Sequence, residues 1–391
     1  MIKHRKDPSL LFIPLILALQ FNALKAQLSF NANGQHLGGL AGRGVVLADF
    51  NDDHNLDAFV VNENGPEGKE YRVYFGDGHG FFRDSISLLN PIPWASQPVA
   101  GDFDGDGKIE VITGWTVWIC DGHGHFKADT TRFISPHDAT LNQIAVGDLN
   151  GDGRPDLSAT VYGNGVNGER VFLNDGKGRF VETDQTCGQG EGIQYPVVLG
   201  DLNGDGFIDA VTTGWRNKKS DPCPNRILMN DGTGHFAEST QILDEGMNHS
   251  HGLALADVDN DGDLDIIVGM QGPPFARVYL NNGHGHFTPG QTLGSRFVEK
   301  VFAADLNGDG AVDLFLACNG PNEVWVNDGH GHFTDSGVRL GTEWSWNAAL
   351  GDLNGDRKID AFVVNFAAEV QKGVYSPRGR LFEVWLNTSM K

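Results

Sequence analysis

Short apolar runs recur along the chain, each introduced by an acidic segment and followed by a glycine-rich one. Runs such as LDIIVGM (264–270) and IDAFVVN (359–365) are brief and rich in β-branched residues, which predicts strands and no long helix. The acidic segments are copies of one nine-residue loop. They read DFNDDHNLD from Asp49, DFDGDGKIE from Asp102, DLNGDGRPD from Asp148, DLNGDGFID from Asp201, DVDNDGDLD from Asp257, DLNGDGAVD from Asp305 and DLNGDRKID from Asp352. Their starts lie 46 to 56 residues apart, a period that signals a propeller or solenoid.

A second element follows each loop but the last. It reads FGDGHGFF (75–82), CDGHGHF (120–126), NDGKGRF (174–180), NDGTGHF (230–236), NNGHGHF (281–287) and NDGHGHF (327–333). Asp-Gly and Asn-Gly between apolar runs predict tight hairpins. One repeat is therefore strand A, acidic loop, strand B, connection, strand C, tight turn, strand D. That is one four-stranded blade, and seven copies predict an all-β, seven-bladed β-propeller over residues 27–391. The seventh copy stops at VWLN (384–387), so its missing strand is expected from the N-terminal Gln27-Leu-Ser-Phe30.

The loops carry side-chain oxygens at positions 1, 3, 5 and 9. These are Asp49, Asn51, Asp53 and Asp57; Asp102, Asp104, Asp106 and Glu110; Asp148, Asn150, Asp152 and Asp156; Asp201, Asn203, Asp205 and Asp209; Asp257, Asp259, Asp261 and Asp265; Asp305, Asn307, Asp309 and Asp313; and Asp352, Asn354, Asp356 and Asp360. Such sets suit a hard cation wanting six to eight oxygens, so Ca2+ is expected, with Mg2+ the weaker candidate. An EF-hand is excluded. Position 12 holds Val60, Thr113, Ala159, Thr212, Val268, Leu316 and Val363 in place of the bidentate Glu, and strands flank each loop. A metal-free acidic turn is the plain alternative, but carboxylates crowded without a cation would raise one another's pKa and cost stability. His54 and Arg357 replace the position-6 Gly in the first and last loops, where the weakest binding is expected.

The loops and turns together resemble FG-GAP/VCBS repeats, found in integrin α-chain propellers, some fungal lectins and many secreted bacterial proteins. The resemblance covers residues 27–391 and implies fold, not function, because sites are grafted onto such scaffolds.

Residues 1–26 read as a secretory signal: Lys3, Arg5 and Lys6 precede an apolar stretch from Leu10 to Leu19, with cleavage expected after Ala26. The protein is then expected outside the cytoplasm (secreted, at the cell surface, or periplasmic), without membrane insertion and as a monomer. The formal net charge of −22 argues against nucleic acid and anionic membranes. Of four cysteines, Cys187 and Cys223 fall where a disulfide could form, while Cys120 and Cys318 read as buried thiols. Asn248-His-Ser and Asn387-Thr-Ser are formal glycosylation sequons.

A ligand site is sought among residues that break the repeat. Trp118, Trp325 and Trp385 share one blade position and read as core. Trp94, Trp115, Trp215, Trp344 and Trp346 remain, all in D–A or B–C segments and so on the face opposite the acidic loops. Flat amphipathic rings on one rim suit sugar faces or a bound peptide, although each could instead plug a gap between blades. Six residues before each loop, at the mouth of the channel, the chain places Arg43, Ser96, Asn142, Tyr195, His251, Glu299 and Trp346. The leading expectation is a binding module for a glycan or extracellular protein, with Tyr195 and His251 joining the tryptophans. A polysaccharide lyase is the enzymatic alternative, with Tyr195 or His251 as base and Arg43 neutralising a uronate carboxylate. A structural spacer is the third. Neither GxSxG nor HExxH nor a phosphate loop occurs.

Overall fold

Alternating inward and outward residues make each apolar run a strand, and the turn glycines fold consecutive strands antiparallel. The computed structural model describes residues 28–35, 37, 42–62, 70–89, 97–135, 139–163, 166–185, 187, 193–215, 224–243, 249–366, 370–371, 374–375 and 382–389. Seven antiparallel sheets result, each pairing A with B, B with C and C with D. Their A strands are Gly42–Ala48, Val99–Gly101, Thr140–Gly147, Ile193–Gly200, Ser250–Ala256, Val298–Ala304 and Trp344–Gly351, for blades 1 to 7 in order. Each A strand touches the next, and the seventh touches the first, so the sheets close into a ring around a channel. The expected all-β, seven-bladed propeller is the observed fold, and no helix among the described residues is long and apolar enough to cross a membrane.

Strand B of each blade is buried along its length, as in Asp265–Met270 and Asp313–Cys318, and supplies the packing between neighbours. Blade 7 closes with an N-terminal strand as the truncated repeat implied, although the strand begins at Phe30, where the expected 27–30 segment ends. Phe30–Ala32 pairs with Phe382–Asn387, Phe30 lying opposite Asn387 and Ala32 opposite Trp385. The Thr388 amide donates to the Ser29 carbonyl at 2.8 Å, and the Asn33 amide to Val384 at 3.0 Å. One departure from the repeat is a fifth strand in blade 3. Phe133–Ile134, from the segment leaving blade 2, runs parallel to Phe180–Glu182, held by Phe180 N–H donating to the Arg132 carbonyl at 2.8 Å.

The Asn that opens each NDGxGxF turn has a second duty. In blade 5 the Asn281 Nδ2 donates to Leu264 O at 3.0 Å in its own blade and to Leu202 O at 2.8 Å, in the acidic loop of blade 4. Asn174, Asn230, Asn327 and Asn387 latch to Phe103, Leu149, Val258 and Leu306 of the preceding blade in the same way. A glutamine clamp works further out: Phe287 N–H donates to Gln241 Oε1 at 2.9 Å and Phe287 O accepts from Gln241 Nε2, with Gln35, Gln185 and Gln291 repeating the pair on Phe82, Phe236 and Phe333. Asn387 is buried in its latch, so its sequon is not open to glycosylation in the folded chain. Asn281→Ala should lower stability by about 2–3 kcal/mol, because it orphans two buried carbonyls. Urea unfolding checks this, and an unchanged midpoint would remove the latch from the account.

Candidate functional site

The channel mouth is built by a repeated irregularity. On its way to the acidic loop, strand A slips register against strand B in six blades. The extra residue is Arg43 in blade 1, His251 in blade 5, Glu299 in blade 6 and Trp346 in blade 7. Blade 3 has two, Asn142 and Gln143, and in blade 4 the slip falls at Pro196, with Tyr195 still paired to Thr213. A bulge releases its residue from the pleat and re-aims the side chain. The sequence located most of these positions by counting back from the loop, but not the bulges that turn them. The signal available was the glycine after two of them. A Cβ on Gly44 would fall 2.5 Å from Pro98, and one on Gly252 would lie 3.0 Å from the Val301 amide, so the next blade approaches too closely for any other residue.

Blades 5, 6, 7 and 1 are consecutive, and their bulged residues form one arc. Glu299 is its centre, a buried carboxylate that accepts from Trp344 Nε1 at 2.9 Å and from His251 Nδ1 at 2.9 Å. The amide Nε2 of Gln271 sits 3.0 Å from His251 Nε2. An amide nitrogen only donates, so His251 Nε2 accepts and Nδ1 carries the proton given to Glu299. Both imidazole nitrogens are thus engaged. Phe297 packs edge-on between His251 and Trp344, with ring centroids 5.1 and 6.0 Å away. Trp344, Trp346 and Phe366 continue the aromatic surface with centroid separations of 5.1 to 5.8 Å. Arg43 ends the arc, its guanidinium carbon 5.1 Å from the centre of the Trp346 ring. Trp344 and Trp346 are both half-buried, leaving aromatic surface for a ligand.

Trp115 is not brought into this arc. Trp115 donates its Nε1 hydrogen to Ala139 O at 2.6 Å and packs edge-on against Phe133 and Phe172, so it fills the wall of blade 3. The fifth strand supplies Phe133, which the repeat pattern did not foresee. Trp215 ends strand B of blade 4 opposite Ile193. Trp94 and Ser96 lie outside the described residues, as do residues 1–27, Cys223 and Asn248. Cys187 is a buried free thiol, pushed up to about 12 chiefly by burial. Cys120 and Cys318 are buried, as expected.

On the opposite face, every acidic loop wraps round its first aspartate. In the second loop Asp102 accepts from the amides of Gly105 at 2.7 Å, Asp106 at 3.2 Å and Gly107 at 2.9 Å. Positive φ falls at positions 4 and 6, including His54 at 68° and Arg357 at 65°, which adopt a glycine's conformation at roughly 1 kcal/mol each. Their amides still reach Asp49 and Asp352 at 2.7 Å, so the wrap survives both replacements. The position-9 acid is buried and ties the blade together: Asp209 accepts from Leu202 N at 3.0 Å and from Asn230 N at 2.8 Å.

Whether these residues fit a hard cation follows from what they lack. Burial, with neighbouring carboxylates adding to it, pushes Asp57, Asp156, Asp209, Asp265 and Asp360 up to about 6, and Glu110 and Asp313 to about 7. Asp104 and Asp259, at position 3, each keep a buried Oδ1 with no hydrogen-bond partner. The ligand atoms of Asp102, Asp104 and Glu110, and those of Asp257, Asp259 and Asp265, lie within 4.8 Å of one another. Orphaned oxygens on crowded, desolvated acids are what a cation would satisfy, so these sets fit. The position-5 acids stand at the exposed rim of the loops, Asp106 pairing with Lys108 and Asp356 with Lys358, each at 3.4 Å.

Residues 49–113, 214–268 and 305–363 match the FG-GAP-like repeat, and residues 141–176 match the FG-GAP repeat. Among curated proteins, the chain is 26% identical to a T-cell immunomodulatory protein homolog of Plasmodium yoelii yoelii over 61% of its own length and 46% of that protein's. It is 24% identical to cartilage acidic protein 1 of Xenopus tropicalis over 71% of its length and 49% of the other's. The chain therefore spans about half the length of the curated relatives it matches. Among solved structures it resembles BBS1N, crystallised in complex with ARL6DN, with a TM-score of 0.56 at 11% identity, covering 90% of this chain and 94% of that one. A protein of unknown function from Desulfotomaculum acetoxidans gives 0.53 at 10% identity, covering 78% and 89%. These two likenesses concern the fold alone. Repeats matched in separate parts of the ring, each coinciding with an acidic loop and its strands, make this chain a member of the FG-GAP repeat family of β-propellers.

Proposed function

We propose that the chain is a secreted, Ca2+-stabilised binding propeller that takes an extracellular glycan or protein ligand at the channel mouth, on the face opposite the acidic loops. The observation that carries this reading is the bulge-aimed arc, in which Trp344 and Trp346 are held half-exposed by Glu299, Phe366 and Arg43. Rigid aromatic rings with few rotamers to lose are strong anchors for a ligand. The basic, apolar start of residues 1–26 supports export, and a relative named for cartilage is consistent with an extracellular setting.

The loops would hold the ion through positions 1, 3, 5 and 9, most strongly from Asp102 and Asp257 and most weakly from Asp49 and Asp352. Bound Ca2+ would supply the charge that the crowded carboxylates need. The face's role is tested on a glycan array that includes uronic-acid polymers, run with the Ca2+-loaded protein and with the Trp344→Ala/Trp346→Ala double variant. The double variant should lose at least about tenfold in affinity while still melting cooperatively. A ligand bound undiminished would move the site away from the mouth. The lyase alternative, with Tyr195 or His251 as base and Arg43 on the carboxylate, has a separate test in an assay for unsaturated product.

A further inference from the structure

Lys300 and Gln143 lie on the A strands of blades 6 and 3, which face each other across the ring. The Lys300 ammonium donates to Gln143 Oε1 at 3.4 Å, so two side chains from opposite walls meet inside the channel. Each comes one residue after a rim residue, Glu299 or Asn142, and so one step deeper than the aromatic arc. The bar they form is the floor of the mouth.

This cation is poorly served. Its bond to Gln143 is long, and the acceptor is neutral. The nearest carboxylate in sequence, Glu299, has one oxygen on Trp344 and the other on His251. No carboxylate among the described residues lies within ion-pair distance of Lys300. Lys300 is half-buried on the channel wall, and burial pushes its pKa down to about 8. Beside Gln143, the Asn142 amide keeps a buried Nδ2 with no hydrogen-bond partner. A half-buried lysine without a counter-charge is uncommon, because losing water disfavours its charged form. An anion entering the channel would supply that counter-charge.

We infer that the mouth selects a carboxyl-bearing sugar, its carboxylate seated on Lys300 and its ring packed against Trp344 and Trp346. This rests on the reading of the mouth as the binding site and names the ligand class for it. A single acidic residue fits better than an acidic polymer laid along the surface, because a chain of net charge −22 repels an extended polyanion. A sugar fits better than a peptide terminus, since flat rings beside the cation match the apolar face of a pyranose, whereas terminal carboxylates are captured by backbone nests.

The test is calorimetric titration of the Ca2+-loaded full chain with methyl glucuronide, with methyl glucoside as its neutral twin, and with a tripeptide bearing a free carboxylate. Wild type should bind the acid about ten- to a hundredfold more tightly than the neutral sugar. Lys300→Met should erase that preference and Lys300→Arg should keep most of it, with thermal melts confirming that both variants fold. Equal affinity for the two sugars, a preference that survives Lys300→Met, or no sugar binding at all would overturn the inference. So would Lys300-dependent binding of the peptide alone. Loss of both sugars in the Trp344→Ala/Trp346→Ala variant, with Lys300→Met unchanged, would sink the lysine's role and leave the mouth as the site. Binding indifferent to all these variants would sink both.

Discussion

Stripping calcium with EGTA is expected to lower the melting temperature by more than about 10 °C. Each filled site stabilises the fold by roughly 2.7 kcal/mol at a hundred times its Kd, and several sites act together. A shift of 1 kcal/mol moves the midpoint of a domain of 150–250 residues by about 2–4 °C, and somewhat less here. The position-9 acids explain why the loss is structural as well as electrostatic. Asp57, Asp156, Asp209, Asp265, Asp313 and Asp360 each hold the start of the loop and the end of strand C through two amide hydrogen bonds. Without a cation, the repulsion from positions 1 and 3 acts on the group that pins those strands. Differential scanning fluorimetry with and without EGTA decides the matter, and an unchanged midpoint would show that the cages hold no stabilising ion.

Deleting residues 28–35 should abolish the monomeric fold. The segment buries Leu28 and Phe30 against the seam of blades 6 and 7, and Gln35 clamps blade 1 at Phe82. Each buried apolar side chain contributes about 1.5–3 kcal/mol, and the sheet bonds and the clamp add to that. The total approaches the 5–15 kcal/mol that separates folded from unfolded chains. Phe30→Ala alone should cost about 3–5 kcal/mol. Circular dichroism and size exclusion of the truncated chain test this directly, and a synthetic 28–35 peptide added in trans should restore the melt. A truncated chain that melts like the parent would mean the ring closes without its outer strand.

What the sequence revealed was whatever repeats with fixed spacing. The acidic loops, the tight turns, the seven blades and the borrowed strand were legible because each needs particular residues at particular offsets. Counting back from the loop also found Arg43, His251, Glu299 and Trp346. Hidden were features that depend on which segment lies beside which. The bulges exist only in the pairing of strands A and B, and the grip of Glu299 on Trp344 needs blades 6 and 7 side by side. Trp115 broke the repeat as visibly as Trp344 did, yet its partner Phe133 arrives on a strand with no counterpart in other blades. The turn asparagines concealed their latch because Asn-Gly already has a sufficient local explanation as a turn.

Blade 1 is the exception in that ring of side-chain latches, the Leu353 carbonyl of blade 7 accepting from the Gly80 amide at 2.8 Å instead. Where five blades present an asparagine to their predecessor, blade 1 offers Gly76, which has no side chain, and blade 2 offers Cys120, whose thiol meets Phe50 O at 3.2 Å. Of the three loops with a non-glycine residue at positive φ, the two that replace the position-6 glycine, at His54 and Arg357, belong to blades 1 and 7, while blade 5 has Asn260 at position 4. The joint made by borrowing Phe30–Ala32 lies in blade 7 as well. Departures from the repeated fastening therefore gather in blades 7, 1 and 2, where the aromatic arc ends at Trp346 and Arg43. The propeller is a hoop with a clasp, and the contact between Arg43 and Trp346 spans the two blades that the clasp joins.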